Sequence, residues 1–379
     1  MLRLPIRLLL ILTLVAALAQ QAYATTVTIH TEDARATLLA LQNRSLRHED
    51  AMKIAEMHGN QAVLQKLHEF KITSTTEDFA NALYAIVHGQ PITKENEKDI
   101  LFEIEEPKIP QLLALLQDID ANPKTFQQRI EQRIALFIPP NTDIHLEGYV
   151  VAAGDGGGYA FGGTDFFLNI GIVDDIVVAQ ETTTHELYHA VQGAFAADRE
   201  LKIDNPQGHA QQACIASGHL FNNLYEEASA MYVGDLSLLP KSHSPAATRT
   251  LTDLNDGQKH IQNSVTLLEM SFIALNASEP VPYDDMYAVD FFGHGVVYNI
   301  AYVMAKAIVA QDDPQGLAAF LKQPTYKFVL RYTQLPDYGV DNDHPRLGPN
   351  TIAAAPSRQR LPLTSRQPQQ GVSHAQDHA

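Results

Sequence analysis

A predominantly helical α+β fold with one small sheet follows from three features of the 379-residue chain. Apolar residues recur at three- and four-residue spacing from Asp33 to about Arg133, as in 34–42, 61–70, 76–88 and 109–118, which is the signature of packed helices. Between Ile144 and Ile170 the pattern changes to alternation broken by glycine, as strands and tight connections require. Helical periodicity then returns from Asp175 onward. With 45% hydrophobic residues and a single Cys, the chain is neither globally disordered nor a disulfide scaffold.

In chain order, residues 1–24 read as an export signal: Arg3 and Arg7 precede an apolar run over 8–19, and Ala22-Tyr23-Ala24 forms a small-x-small cleavage site. Thr25 is then the mature N-terminus and the product is periplasmic or secreted. The apolar run falls short of the roughly 20 residues that span a bilayer, and no later stretch is long and charge-free enough, so no stable membrane insertion is expected after signal removal. Residues 25–134 form the helical N-terminal region, and 135–337 the second domain. Within it, 144–153 reads as a strand, and the glycine-rich run 154–163 lacks both phosphate-loop and dinucleotide spacing, leaving a tight hairpin connection. Residues 166–170 read as a second strand. Asp174 and Asp175 offer N-caps to a helix reaching about Ala197. Further helices are expected over about 219–233, stopped by Gly234, then near 251–277 and over about 295–310. The end, 338–379, is rich in Pro, Gln, Arg and Ala and reads as a disordered tail.

The formal net charge is −17; loss of Arg3 and Arg7 leaves 25 basic against 44 acidic residues, or −19. A field of that sign repels nucleic acid and anionic membrane surfaces and concentrates cations. Cys214, between apolar neighbours, reads as a buried structural thiol.

Chemistry concentrates in His185-Glu186-Leu187-Tyr188-His189, an HExxH match within a helical pattern. Positions i and i+4 lie one turn apart on the same helix face, so both imidazoles can reach one Zn²⁺, and the intervening Glu186 lies where a general base for an attacking water is needed. A catalytic zinc takes three protein ligands and keeps one position open. Phe195 stands where an HExxHxxGxxH extension requires its third His, so the third ligand must come from another element. Glu227 shares a helical face with Leu220, Leu224 and Met231, whereas Glu226 shares one with Asn222, Asn223, Ser229 and Ala230. A carboxylate on an apolar face must be paired or metal-bound, which selects Glu227 and leaves Glu226 to solvent. Asp235, just past Gly234, could turn back to accept a ring N–H from a ligand His; a solvated loop carboxylate is the alternative. No GxSxG elbow is present, which argues against a serine hydrolase.

The pairing of this HExxH with Glu227-Ala228-Ser229-Ala230-Met231-Tyr232 resembles gluzincin zinc metallopeptidases. The order of elements from Ala34 to Tyr332 is similar to that of a bacterial zinc-dependent peptidase family: helical region, Ile-Pro-Pro, glycine-containing connection, HExxH helix, later Tyr-containing helix. The resemblance implies a zincin-like catalytic domain, one Zn²⁺ per chain held by His185, His189 and Glu227, Glu186 as general base, and a peptide or protein substrate. It further implies an edge strand pairing with substrate, placed here at Phe167, Leu168 and Asn169, and a Tyr or His donor to the oxyanion. Tyr298 and His294 are the candidates, although Ala301 occupies the glycine position of the Tyr-x-x-Gly-x-x-Met-Ala pattern that Tyr298 otherwise follows. The rival reading is a non-catalytic zinc- or peptide-binding protein on a peptidase-like scaffold. A binding-only site has no need of the base Glu186.

Overall fold

The computed structural model describes residues 24–357 except 101, 103–105, 122, 155, 162, 174, 200–205, 207, 293 and 294. In chain order, with single helical turns left unnumbered, strand β1 (Ala24–His30) precedes helices α1 (Glu32–Leu41), α2 (His48–Ala55), α3 (His58–Glu69), α4 (Thr76–Val87), α5 (Ile109–Ala121) and α6 (Pro123–Ala135). Strands β2 (Asp143–Val151), β3 (Gly158–Ala160) and β4 (Asp165–Asn169) follow. The rest is helical: α7 (Ile176–Ala194), α8 (Gly208–Gly234), α9 (Pro245–Lys259), α10 (Ile261–Leu275), α11 (Tyr283–Phe291), α12 (Val296–Ala318), α13 (Tyr326–Thr333) and α14 (Pro349–Ser357). The fold is therefore predominantly helical α+β, as the periodicity indicates.

The sheet order is β1-β2-β4-β3, with β1, β2 and β4 parallel and β3 antiparallel to β4. Its register aligns His30, Tyr149, Phe167 and Tyr159, one from each strand, as a stacked row with centroid spacings of 4.6, 5.5 and 5.4 Å. Such in-register aromatic pairs hold a register that backbone hydrogen bonds alone leave free to slip. The opposite face meets α7: a Cβ at Gly158 would lie 3.1 Å from Glu186 Cγ and 3.2 Å from Thr182 Cγ2. A single buried apolar cluster runs from Val27 through the sheet and α7, α8 and α12 to Ala355.

Five expectations are corrected. The strand β1 lies within residues expected to be helical; its parallel partner β2, more than a hundred residues away, supplies its ladder, and Glu131 of α6 accepts from Val27 N at 3.0 Å. The glycine-rich run is not a hairpin between β2 and β4, which are parallel neighbours, but contains β3. Strand β4 is consequently internal, so Phe167, Leu168 and Asn169 cannot pair with substrate at an edge; all three are buried. Asn169 instead closes the preceding loop, its side-chain amide donating to Gly154 O at 2.9 Å and its Oδ1 accepting from Gly171 N at 3.0 Å.

The tail is the fourth: residues 338–357 pack onto the domain, and only 358–379 lie outside the described residues. Glu269 of α10 caps α14, accepting from Asn350 N at 2.9 Å and Thr351 N at 2.8 Å, while Leu347 and Ala355 are buried. Polar composition concealed a segment anchored to the core by Leu347, Ala354 and Ala355, while Val340 stays exposed. The expected helix over 251–277 is also two, α9 and α10, broken at His260.

Candidate metal centre

Asp175 starts the metal helix, its Oδ1 accepting from Val177 N at 2.9 Å and Val178 N at 3.1 Å. Two turns on, α7 turns His185 and His189 toward α8, which packs along it. The close approach depends on Gly234: a Cβ there would stand 2.8 Å from Glu181 Oε1 and 3.2 Å from His185 Cβ. Gly234, expected only as a helix stop, thus also serves as a spacer.

Three donors converge between the helices. His185 Nε2 and His189 Nε2 lie 3.1 Å apart, and Glu227 Oε2 is 3.8 Å from the first and 3.6 Å from the second. With metal bonds of about 2.0–2.2 Å, a tetrahedron has edges of about 3.3–3.6 Å, so this triangle fits one face of a four-coordinate zinc site. The three side chains are 7%, 8% and 0% exposed. Two imidazoles and one buried carboxylate are the borderline-soft donor set that zinc accepts, and they are the only group of three His, Cys, Asp or Glu donors so arranged among the described residues.

The electrostatics agree with a site built for a cation. Burial alone would discharge His189, but the Glu227 carboxylate and its hydrogen bond, helped by Glu186 and Glu226, outweigh burial and raise its pKa to about 9. Glu181, one turn before His185, is pushed up to about 7 by burial and by the nearby Glu186 and Asp235 carboxylates, against a hydrogen bond from Thr182. Tyr298 of α12 is held well above the usual phenol range by burial and by Glu227, to which its hydroxyl hydrogen-bonds.

Of the residues singled out in the sequence, His185, Glu186, His189, Glu227 and Tyr298 therefore come together. His294 lies outside the described residues. Asp235 adopts a left-handed backbone, φ 67°, and its Oδ1 accepts from Ser237 Oγ at 2.5 Å. The partner of His189 Nδ1 is instead Gln192, whose Oε1 is 2.7 Å away.

The face of Glu226 is not solvated as expected. Asn222, Asn223 and Ser229 are buried, and Glu226 accepts from Arg199, whose side chain is fully buried. Sequence spacing shows which residues share a face, but from Leu220 to Ala230 α8 is packed on all sides, so polar residues there meet polar partners rather than water. Gln192, Arg199 and Gly158 were missed; the one available signal was Gln192 at i+3 from His189, on the ligand face of α7.

A helical α+β fold carrying two HExxH imidazoles and a glutamate from the adjoining helix defines the class of HExxH zinc proteins. The family model described as "Putative zinc dependent peptidase" matches residues 52–336, and the chain belongs to that family. No curated protein and no solved structure matches it.

Proposed function

We propose that this protein is an exported zinc metallopeptidase of gluzincin type that hydrolyses peptide bonds in peptide or protein substrates, with one Zn²⁺ per chain held by His185, His189 and Glu227. The observation that carries this reading is the three-donor triangle, with buried Glu186 on the same helix. Zinc, when bound, would acidify a water and polarise the substrate carbonyl. Glu186 takes the proton of the attacking water and returns it to the leaving amine. Tyr298, whose hydroxyl hydrogen-bonds to Glu227 here, would donate to the negative charge that develops on the carbonyl oxygen once metal-bound Glu227 releases that hydrogen.

The substrate strand belongs at β3. Asn169 N donates to Gly157 O at 3.0 Å, so in this antiparallel pair Gly157 and Tyr159 exchange hydrogen bonds with β4. Alternation then turns the N–H and C=O groups of Gly158 and Ala160 away from β4, with Gly158 buried against Glu186. A peptide pairing there would lie along the helix that carries the base.

Export is supported by the basic, apolar and small-residue sequence of residues 1–24. Cleavage after Ala24 would leave all of β1 but its first residue. Metal analysis with a chelator-sensitive assay on a broad peptide library tests the whole reading. Zinc-dependent cleavage lost in Glu186→Gln supports it, whereas zinc bound without cleavage of any library member would favour the non-catalytic binding protein.

A further inference from the structure

Gln192 has a hydrogen-bond pattern that leaves its side chain one orientation. Its Nε2 donates to Glu226 O and to Ser229 Oγ, both at 2.8 Å. Ser229 Oγ spends its own hydrogen on Tyr225 O at 2.7 Å, so toward Gln192 it can only accept. A flipped amide would set Oε1 against the Glu226 carbonyl oxygen, two acceptors at contact distance. Oε1 must therefore face His189, and the nitrogen 2.7 Å from it, Nδ1, must carry the hydrogen. That tautomer leaves Nε2, the atom in the donor triangle, free of its proton when the ring is neutral.

The backbone of Gln192 is held as well. Arg199 Nη1 donates to Gln192 O at 2.7 Å, while Nη2 donates to Glu226 Oε1. Glu226, whose carbonyl orients the Gln192 amide, thus also anchors the cation that grips the Gln192 main chain. Both contacts tie the end of α7 to the turn of α8 that carries Glu227.

We propose that Gln192 is a positioning residue that selects the metal-binding tautomer of His189, and that the Arg199–Glu226 pair holds Gln192 in place; this rests on the zinc-centre reading above. Glu226, expected from its helical face to be solvated, then bears on the metal centre through Arg199 and Gln192.

The test is zinc affinity of the full chain, by competition with a chromophoric chelator. Gln192→Met keeps length and removes the acceptor, and should weaken zinc binding by about 10- to 100-fold. Gln192→Glu, compared with wild type at a pH low enough to keep the new carboxyl protonated, retains an acceptor toward Nδ1 and a hydroxyl donor toward Glu226 O, and should recover affinity to within about threefold of wild type, a rescue that mere packing does not explain. Ser229→Ala, which removes one of the two groups orienting the amide, should show a smaller loss of about two- to fivefold and keeps the test open if Gln192→Met fails to fold. Wild-type affinity in Gln192→Met, or in Ser229→Ala where the Met variant does not fold, overturns the proposal; so does equal weakening in the Met and Glu variants. Failure of wild type itself to bind zinc would instead overturn the metal-centre reading.

Discussion

Where α1, α3 and α4 meet in the N-terminal layer, Leu38, Leu67, Phe79 and Leu83 exclude water with apolar side chains. The α7–α8 interface is as dry, yet it encloses His185, Glu186, Gln192, Glu227 and Ser229. In the first region, burial of apolar area is itself the driving force. In the second, each polar group loses its hydration and needs a partner, and two imidazoles and a carboxylate are aimed at one point. The difference separates what holds this fold together from what the fold holds in place.

The comparison can be broken most severely at the ligands. His185→Ala or His189→Ala should abolish zinc binding, with the chain retaining its helical circular dichroism, because two remaining donors cannot hold a first shell. Full metal occupancy in both variants would mean that the polar interface is not a metal site. Next in size, Glu186→Gln should keep its zinc and lose hydrolysis by at least about 100-fold, as removal of a general base does. Retained turnover would assign proton transfer elsewhere.

The apolar region should respond in the opposite way. Phe79→Ala should cost about 3–5 kcal/mol in denaturant unfolding while leaving zinc affinity unchanged, since Phe79 is buried in the N-terminal region with its ring edge-on to Phe102. A parallel loss of metal affinity would show that the two regions are coupled.

A smaller effect belongs to Asp290 of α11, a buried carboxylate outside the metal centre. Burial pushes its pKa up to about 7, against a hydrogen bond from Ser271 Oγ at 2.7 Å. The folded chain then binds more protons than the unfolded one between about pH 4 and 7, so stability is lost as pH rises through that window. Asp290→Asn should stabilise the protein by at least about 1 kcal/mol at pH 8, with little gain at pH 4. Equal effects at both pH values would remove titration as the cause.

The helix signals were legible because they are local. Asp175, the i,i+4 histidines and the apolar face of Glu227 all act within one or two turns. What escaped depends on distant partners: β1 is a strand because β2 lies beside it, and β4 is internal because β3 covers its edge. Glu226 was read as solvated because a helical face says nothing of what packs against it, and Arg199 does. Gln192 was in plain view at i+3 from His189, but its role requires Ser229 and the Glu226 carbonyl of another helix.

The most direct test of the His185–His189–Glu227 centre is zinc titration of wild type beside Glu227→Ala. One equivalent should bind tightly to wild type, and the variant should lose at least about 100-fold in affinity, since a three-ligand shell is cut to two. Wild-type stoichiometry and affinity in Glu227→Ala would contradict the centre, whatever the two histidines do.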